Sequence, residues 1–149
     1  MIMSSRPQFF VYNHQEVIGL SPKLLSRLQA SGRRAISEVV KITDNNRAAL
    51  AKLDEVEVSL LDDDAIADIH LRFMDIAGAT DVITFDHGEI HVSVETARVQ
   101  AAEFGSDFEK ELMLYIVHGL LHLAGYDDGT DEESARMDDL QQTILTIVW

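Results

Sequence analysis

Cysteine is absent from the 149 residues. That excludes disulfides and every thiolate-ligated zinc or iron–sulfur site, and it accords with a reducing compartment. Any metal ion must be held by His, Asp or Glu. No stretch approaches the ~18 unbroken apolar residues of a membrane span, and the opening MIMSSRPQFFVYNHQEVIGL lacks the long apolar core of a signal peptide. The expectation is a cytoplasmic protein with no membrane partner. Linkers rich in Pro, Gly or Ser, low-complexity runs and internal repeats are also missing. One domain spanning residues 1–149 is therefore expected, and a chain of this length buries roughly two-thirds of its unfolded surface. Neither a Gly-x-Ser-x-Gly elbow, a P-loop nor a dinucleotide fingerprint occurs.

Positive charge is scarce: 12 Lys and Arg face 26 Asp and Glu, a net charge of -14. Taken alone, this argues against a nucleic-acid partner, because phosphate binding draws on clustered cations. The deficit is uneven. Residues 1–52 hold eight basic and three acidic residues, leaving four and 23 for the remainder. Such asymmetry fits a polyanion-facing surface, and equally a solvated amphipathic helix.

What is present suits a globular domain, with 46% hydrophobic and 26% charged residues. QFFVYNHQEV reads as a first strand. Ser21-Pro22 then signals a helix start, and apolar spacing carries that helix from Pro22 to Ile42 with a break expected near Ser31-Gly32. EVEVSLL alternates as a strand, and Asp62, Asp63 and Asp64 open a helix reaching Met74. Helix-start chemistry accounts for the Asp triplet more cheaply than a cation site. DVITF and EIHVSV flank Asp86-His87-Gly88 as a hairpin. Three helices follow, from Val94, Asp107 and Asp131, the last with the Thr130…Glu133 capping-box pattern. Strands interleaved with helices predict an α+β fold, a mixed sheet of about four strands packed with about five helices.

The chemistry concentrates in HGLLHLAGYDD. Four residues apart on a helix, His118 and His122 project from one face and can grip one ion. Gly125 then permits the left-handed turn that ends a helix and can return Tyr126, Asp127 or Asp128 toward the pair. Two imidazoles and a carboxylate would form a three-ligand site with an open position, the arrangement of catalytic zinc. Two hydrogen-bonded helix histidines are the plainer alternative. Against it, LMLYIVHGLLHLAG is too apolar to bury two imidazoles without partners or an ion. Zinc proteases need Glu after the first histidine; Gly119 stands there, which removes that mechanism but keeps the zincin-like metal helix. A glycine inside a helix also invites a reason, either close approach of substrate or backbone, or crowding by a neighbouring strand.

This stretch resembles the signature of the YbeY family of bacterial metal-dependent endoribonucleases, HGxLHLxGYDH, and matches every fixed position but the last. ATDVITF resembles the family's TDVLSF strand, GEIHVS its following Gly-Asp-Ile strand, and FEKELMLYIVHG the run into the metal helix. The resemblance covers Leu53 to the C-terminus. It implies a zinc-dependent hydrolase of phosphodiester bonds in single-stranded or ribosomal RNA, working in rRNA processing, ribosome maturation and quality control beside the small ribosomal subunit.

Carried over by position, the resemblance makes His118, His122 and Asp128 the metal ligands, with Asp127 the alternative third. The family has His at Asp128; a carboxylate there admits zinc or a harder divalent ion. The family's arginine before TDVLSF falls at Met74, and His70 occupies the preceding asparagine position. Arg72 lies about 200° around the helix from Met74 and points elsewhere. Arg27, Arg33, Arg34 and Lys41 are then the candidates to meet RNA. Two rivals stand beside the nuclease: a ribosome-assembly factor that has lost the chemistry, and a metallohydrolase of another substrate.

Overall fold

Period-two burial builds the sheet. In the computed structural model, which describes residues 7–43 and 49–149, the strands are β1 (Gln8–Asn13), β2 (Glu55–Leu61), β3 (Val82–Phe85) and β4 (Glu89–Ser93). The helices are α1 (Pro22–Ile42), α2 (Asp63–Met74), α3 (Val94–Phe104), α4 (Phe108–Leu123) and α5 (Asp131–Val148). Val56, Val58 and Leu60 of β2 are fully buried, while Glu57 and Ser59 between them face the other side. Ile90 and Val92 of β4 repeat the pattern around His91.

The strand order is β1-β2-β4-β3, with β1, β2 and β4 parallel and β3 antiparallel to β4. Parallel neighbours require crossovers. α1 supplies the first, and α2 with β3 the second. The expected α+β fold, with a mixed four-stranded sheet and five helices, is the one observed. The hairpin turns at Gly88, whose φ of 116° and crowding by the Glu55 carbonyl, 2.6 Å from where a Cβ would lie, exclude a side chain.

Two expectations need correction. The first strand stops at Asn13 rather than continuing to Val17, because the Gln15 side chain folds back onto Asn13 and Ile18 and closes a loop. α1 also runs unbroken through Ser31-Gly32. Gly32 is a socket: a Cβ there would sit 2.1 Å from the Phe9 ring. Gly119 plays the same part in α4, where a Cβ would lie 2.8 Å from two Ile90 carbons. Strand crowding, then, explains this glycine. Both sockets bring a helix close to the inner sheet face, where α4 is buried on most sides.

The Asp triplet acts as helix-start chemistry. Asp62 accepts from Ala65 N–H at 2.8 Å, while Asp63 accepts from the Ser93 and Thr96 hydroxyls, and Glu95 accepts from Asp63 N–H at 2.9 Å. The starts of α2 and α3 are thus capped by one another. At the other end of the chain, Arg27, Ser31 and Arg34 donate to the carbonyls of Trp149, Val148 and Ile147 at 2.9–3.1 Å, satisfying the last turn of α5.

Candidate metal centre

Position on α4 decides what His118 and His122 can do. They leave the helix one turn apart beside β3, with ring centroids 4.5 Å apart and the two Nε2 atoms separated by 3.0 Å. The Nδ1 of His118 contacts Oε1 of Gln141, a buried side chain from α5. An amide oxygen only accepts, so His118 donates from Nδ1 and keeps the Nε2 lone pair for the cleft. Sequence reading missed Gln141, which stands 23 positions away and matches no motif. Orientation of a ligand histidine through its other nitrogen is the usual outer support of a metal site.

The third group arrives through the helix end. Gly125, at φ 104°, donates to the His122 carbonyl, and Tyr126 N–H reaches Leu121, both at 3.0 Å. These paired bonds reverse the chain. Tyr126 then turns away toward the Ile42 carbonyl. Asp128 returns, with carboxylate oxygens 3.4 Å from His118 Nε2 and 3.6 Å from His122 Nε2. Tetrahedral zinc at bond lengths of about 2.0–2.1 Å implies ligand–ligand edges of about 3.3 Å. The observed separations bracket that value, and one ligand atom from each residue lies within 4.8 Å of the others. The His118 lone pair, the His122 Nε2 and the Asp128 carboxylate face one another and fit a cation between them.

His118 and His122 open onto a cleft of about 280 Å³ that Met74, Val82, Ile83, Thr84, Asp86 and Asp127 also line, with Asp128 beside the pair. Among the described residues, no Lys or Arg lines it. Met74 occupies the wall, and His70 instead ties its Nδ1 to the Gly78 carbonyl at 2.9 Å, holding the loop between α2 and β3. Arg72 pairs with Asp68 at 3.3 Å and does not line the cleft. Of the basic residues on α1, Arg27 and Arg34 cap α5, Arg33 donates to the Phe9 carbonyl at 3.4 Å, and Lys41 pairs with Glu38 at 3.1 Å. Arg6, Asp44 and Arg47, counted in the charge asymmetry, lie outside the described residues. A larger open groove of about 860 Å³ beside Asn13–Val17 gathers no comparable ligand set among the described residues.

Among the described residues, no helix is long and apolar enough to cross a membrane. A sequence model of the YbeY family, described as Endoribonuclease YbeY, matches residues 25–148, so the likeness reaches into α1 and beyond the segment expected from motifs. Endoribonuclease YbeY of Symbiobacterium thermophilum is 30% identical over 155 residues, spanning 93% of this chain and 95% of its own. Its counterpart in Acholeplasma laidlawii is 38% identical over 98 residues, spanning 60% and 72%. A solution structure from Thermotoga maritima aligns with a TM-score of 0.63 at 31% identity, covering 95% of this chain and 89% of that one. The chain belongs to the YbeY family, whose matched members are named endoribonucleases.

Proposed function

We propose that the protein is a metal-dependent endoribonuclease of single-stranded RNA, acting in ribosomal RNA processing, ribosome maturation and quality control, and holding one zinc ion on His118, His122 and Asp128. The convergence of these three ligand atoms, two of them lining an open cleft, carries the reading. When bound, a divalent ion would supply Lewis acidity at a phosphate oxygen and a coordinated water of lowered pKa. Asp128 adds an anionic ligand, which makes that water less acidic than three histidines would and widens the choice of ion toward manganese or magnesium.

The chain supplies the rest. Gln141 holds His118 in the tautomer that presents Nε2. Asp86 and Asp127, the free carboxylates of the cleft, are placed to take a proton from the attacking group. The apolar Met74 wall gives no countercharge to phosphate. Because Arg27 and Arg34 are engaged on α5, we infer that α1 attracts RNA at long range rather than contacting the scissile site. A cytoplasmic location and the small ribosomal subunit as partner belong to the same proposal.

Purified protein should carry about one metal ion per chain and cleave single-stranded RNA, with both properties lost in His118→Ala and His122→Ala. Metal-free protein of unchanged activity overturns the proposal. Met74 favours one alternative, an assembly factor without catalysis. Co-sedimentation with small ribosomal subunits by nuclease-free protein that cuts no RNA would select it.

A further inference from the structure

Strand β3 has a second pocket on its opposite side. Thr84 and Asp86 line the metal cleft, whereas Phe85 between them lines a cavity of about 380 Å³ under α2. This volume falls within the roughly 300–1,000 Å³ of small-molecule sites. Phe85 is its centre. The Phe73 ring meets it edge-on at 5.5 Å, His91 edge-on at 5.6 Å, and His87 stacks on it at 5.9 Å with an interplanar angle of 18°. Ile69 completes the apolar lining, and among the described residues Glu89 is the sole carboxylate in it. The two outer walls face solvent: Phe73 is 64% exposed and the His87 side chain 68%.

We propose that this pocket receives an unstacked nucleobase, guanine in preference, from the same RNA strand whose phosphate occupies the metal cleft. The inference rests on the RNA reading above and adds a base-selecting subsite to it. Single-stranded RNA is recognised by bases splayed onto aromatic side chains and hydrogen-bonded along their edges. The pocket offers both elements. A carboxylate only accepts, and its two oxygens lie side by side. Guanine's Watson–Crick edge presents two parallel N–H donors to such a pair, while uracil offers one N–H between two carbonyls that a carboxylate repels. The contact between His87 and Glu89 holds the carboxylate at the pocket wall.

Connectivity favours one strand serving both sites. Phe73 and Met74, consecutive at the end of α2, line the pocket and the cleft respectively. A polynucleotide crossing the β3 edge therefore meets an aromatic pocket and then the ligand set. Glu57, opposite Glu89 in the ladder, repels phosphate from the open sheet face and leaves the β3 side as the backbone's path. Arg72, paired with Asp68, stands 5.8 Å from the Phe73 ring.

The test is a binding measurement in chelator, where no strand is cut, using the full chain and fluorescent pentanucleotides that carry guanosine or uridine at one position. Wild type should bind the guanosine strand about tenfold tighter, the worth of one good paired hydrogen-bond contact. Phe73→Ala should weaken both strands by about tenfold. Glu89→Gln should level the two without weakening the uridine strand. Circular dichroism melts confirm that the variants fold. Wild-type-like binding by both variants overturns the pocket and leaves the nuclease reading intact. Failure of wild type to bind the guanosine strand more tightly also overturns the pocket, and the nuclease reading is then judged separately by cleavage with the metal-loaded protein. If Phe73→Ala instead converts a self-associating protein to monomer with unchanged RNA binding, the patch is a protein-docking surface and the inference falls.

Discussion

Histidines stand on both sides of β3, and they differ in their partners. On the cleft side His118 has Gln141 at one nitrogen, and both His118 and His122 face Asp128. On the α2 side the Nδ1 of His91 is buried with no hydrogen-bond partner among the described residues, and burial pushes its pKa below the ordinary value. A paired, oriented imidazole is fitted to serve as a ligand. An unpaired buried one, held below its ordinary pKa by burial, is fitted to serve as an aromatic surface. Residue type alone does not separate the two; the surrounding acceptors do.

The largest expected effect breaks the cleft side outright. His118→Ala or His122→Ala removes a ligand worth several kcal/mol of transition-state stabilisation, so RNA cleavage should fall about 10³-fold and bound metal should vanish by elemental analysis. Next, Gln141→Leu should weaken metal affinity about 10- to 100-fold in competition with a chromogenic chelator, while His91→Gln leaves it unchanged. Equal affinities in these two variants would erase the comparison. Gly119→Ala forces a Cβ against Ile90 at a cost of about 1–3 kcal/mol, offset by about 1 kcal/mol of helix propensity. A net loss near 1 kcal/mol is expected in urea denaturation, partly recovered by adding Ile90→Val. The smallest effect is on pH dependence. Because folded His91 binds protons less readily than in the unfolded chain, the unfolded state takes up more protons as pH falls through the ordinary histidine range. Stability should decline below about pH 6.5, and His91→Gln should flatten that decline.

Much of this was legible locally. Ser21-Pro22, Thr130…Glu133 and the alternation of EVEVSLL each encode a feature satisfied within a few residues, so caps and strands emerged from pattern. The hairpin around Gly88 did too. Contacts between distant segments did not. Gly32 looked like a break because Phe9, its occupant, lies 23 positions upstream on another element. Arg27 and Arg34 looked like an open basic face because their acceptors are the carbonyls at the far end of the chain. At the metal centre, the histidine pair and the turn at Gly125 were visible as spacing. The role of Gln141 was not, since a single glutamine becomes meaningful only when α5 packs against α4.

The exit turn at Gly125 divides the candidate ligand set by rigidity. His118 and His122 ride on a helix buried along most of its surface, so they would form a preorganised chelate. Asp128 joins from a loop and is 43% exposed. Were an ion held by the pair, Asp128 would stand at high effective concentration, and its release would be a loop motion rather than a helix motion. Ion exchange should therefore be timed by the residues after Gly125. The same division bears on substitution. A change at position 128 would leave the helix packing intact, which makes it the candidate ligand freest to vary.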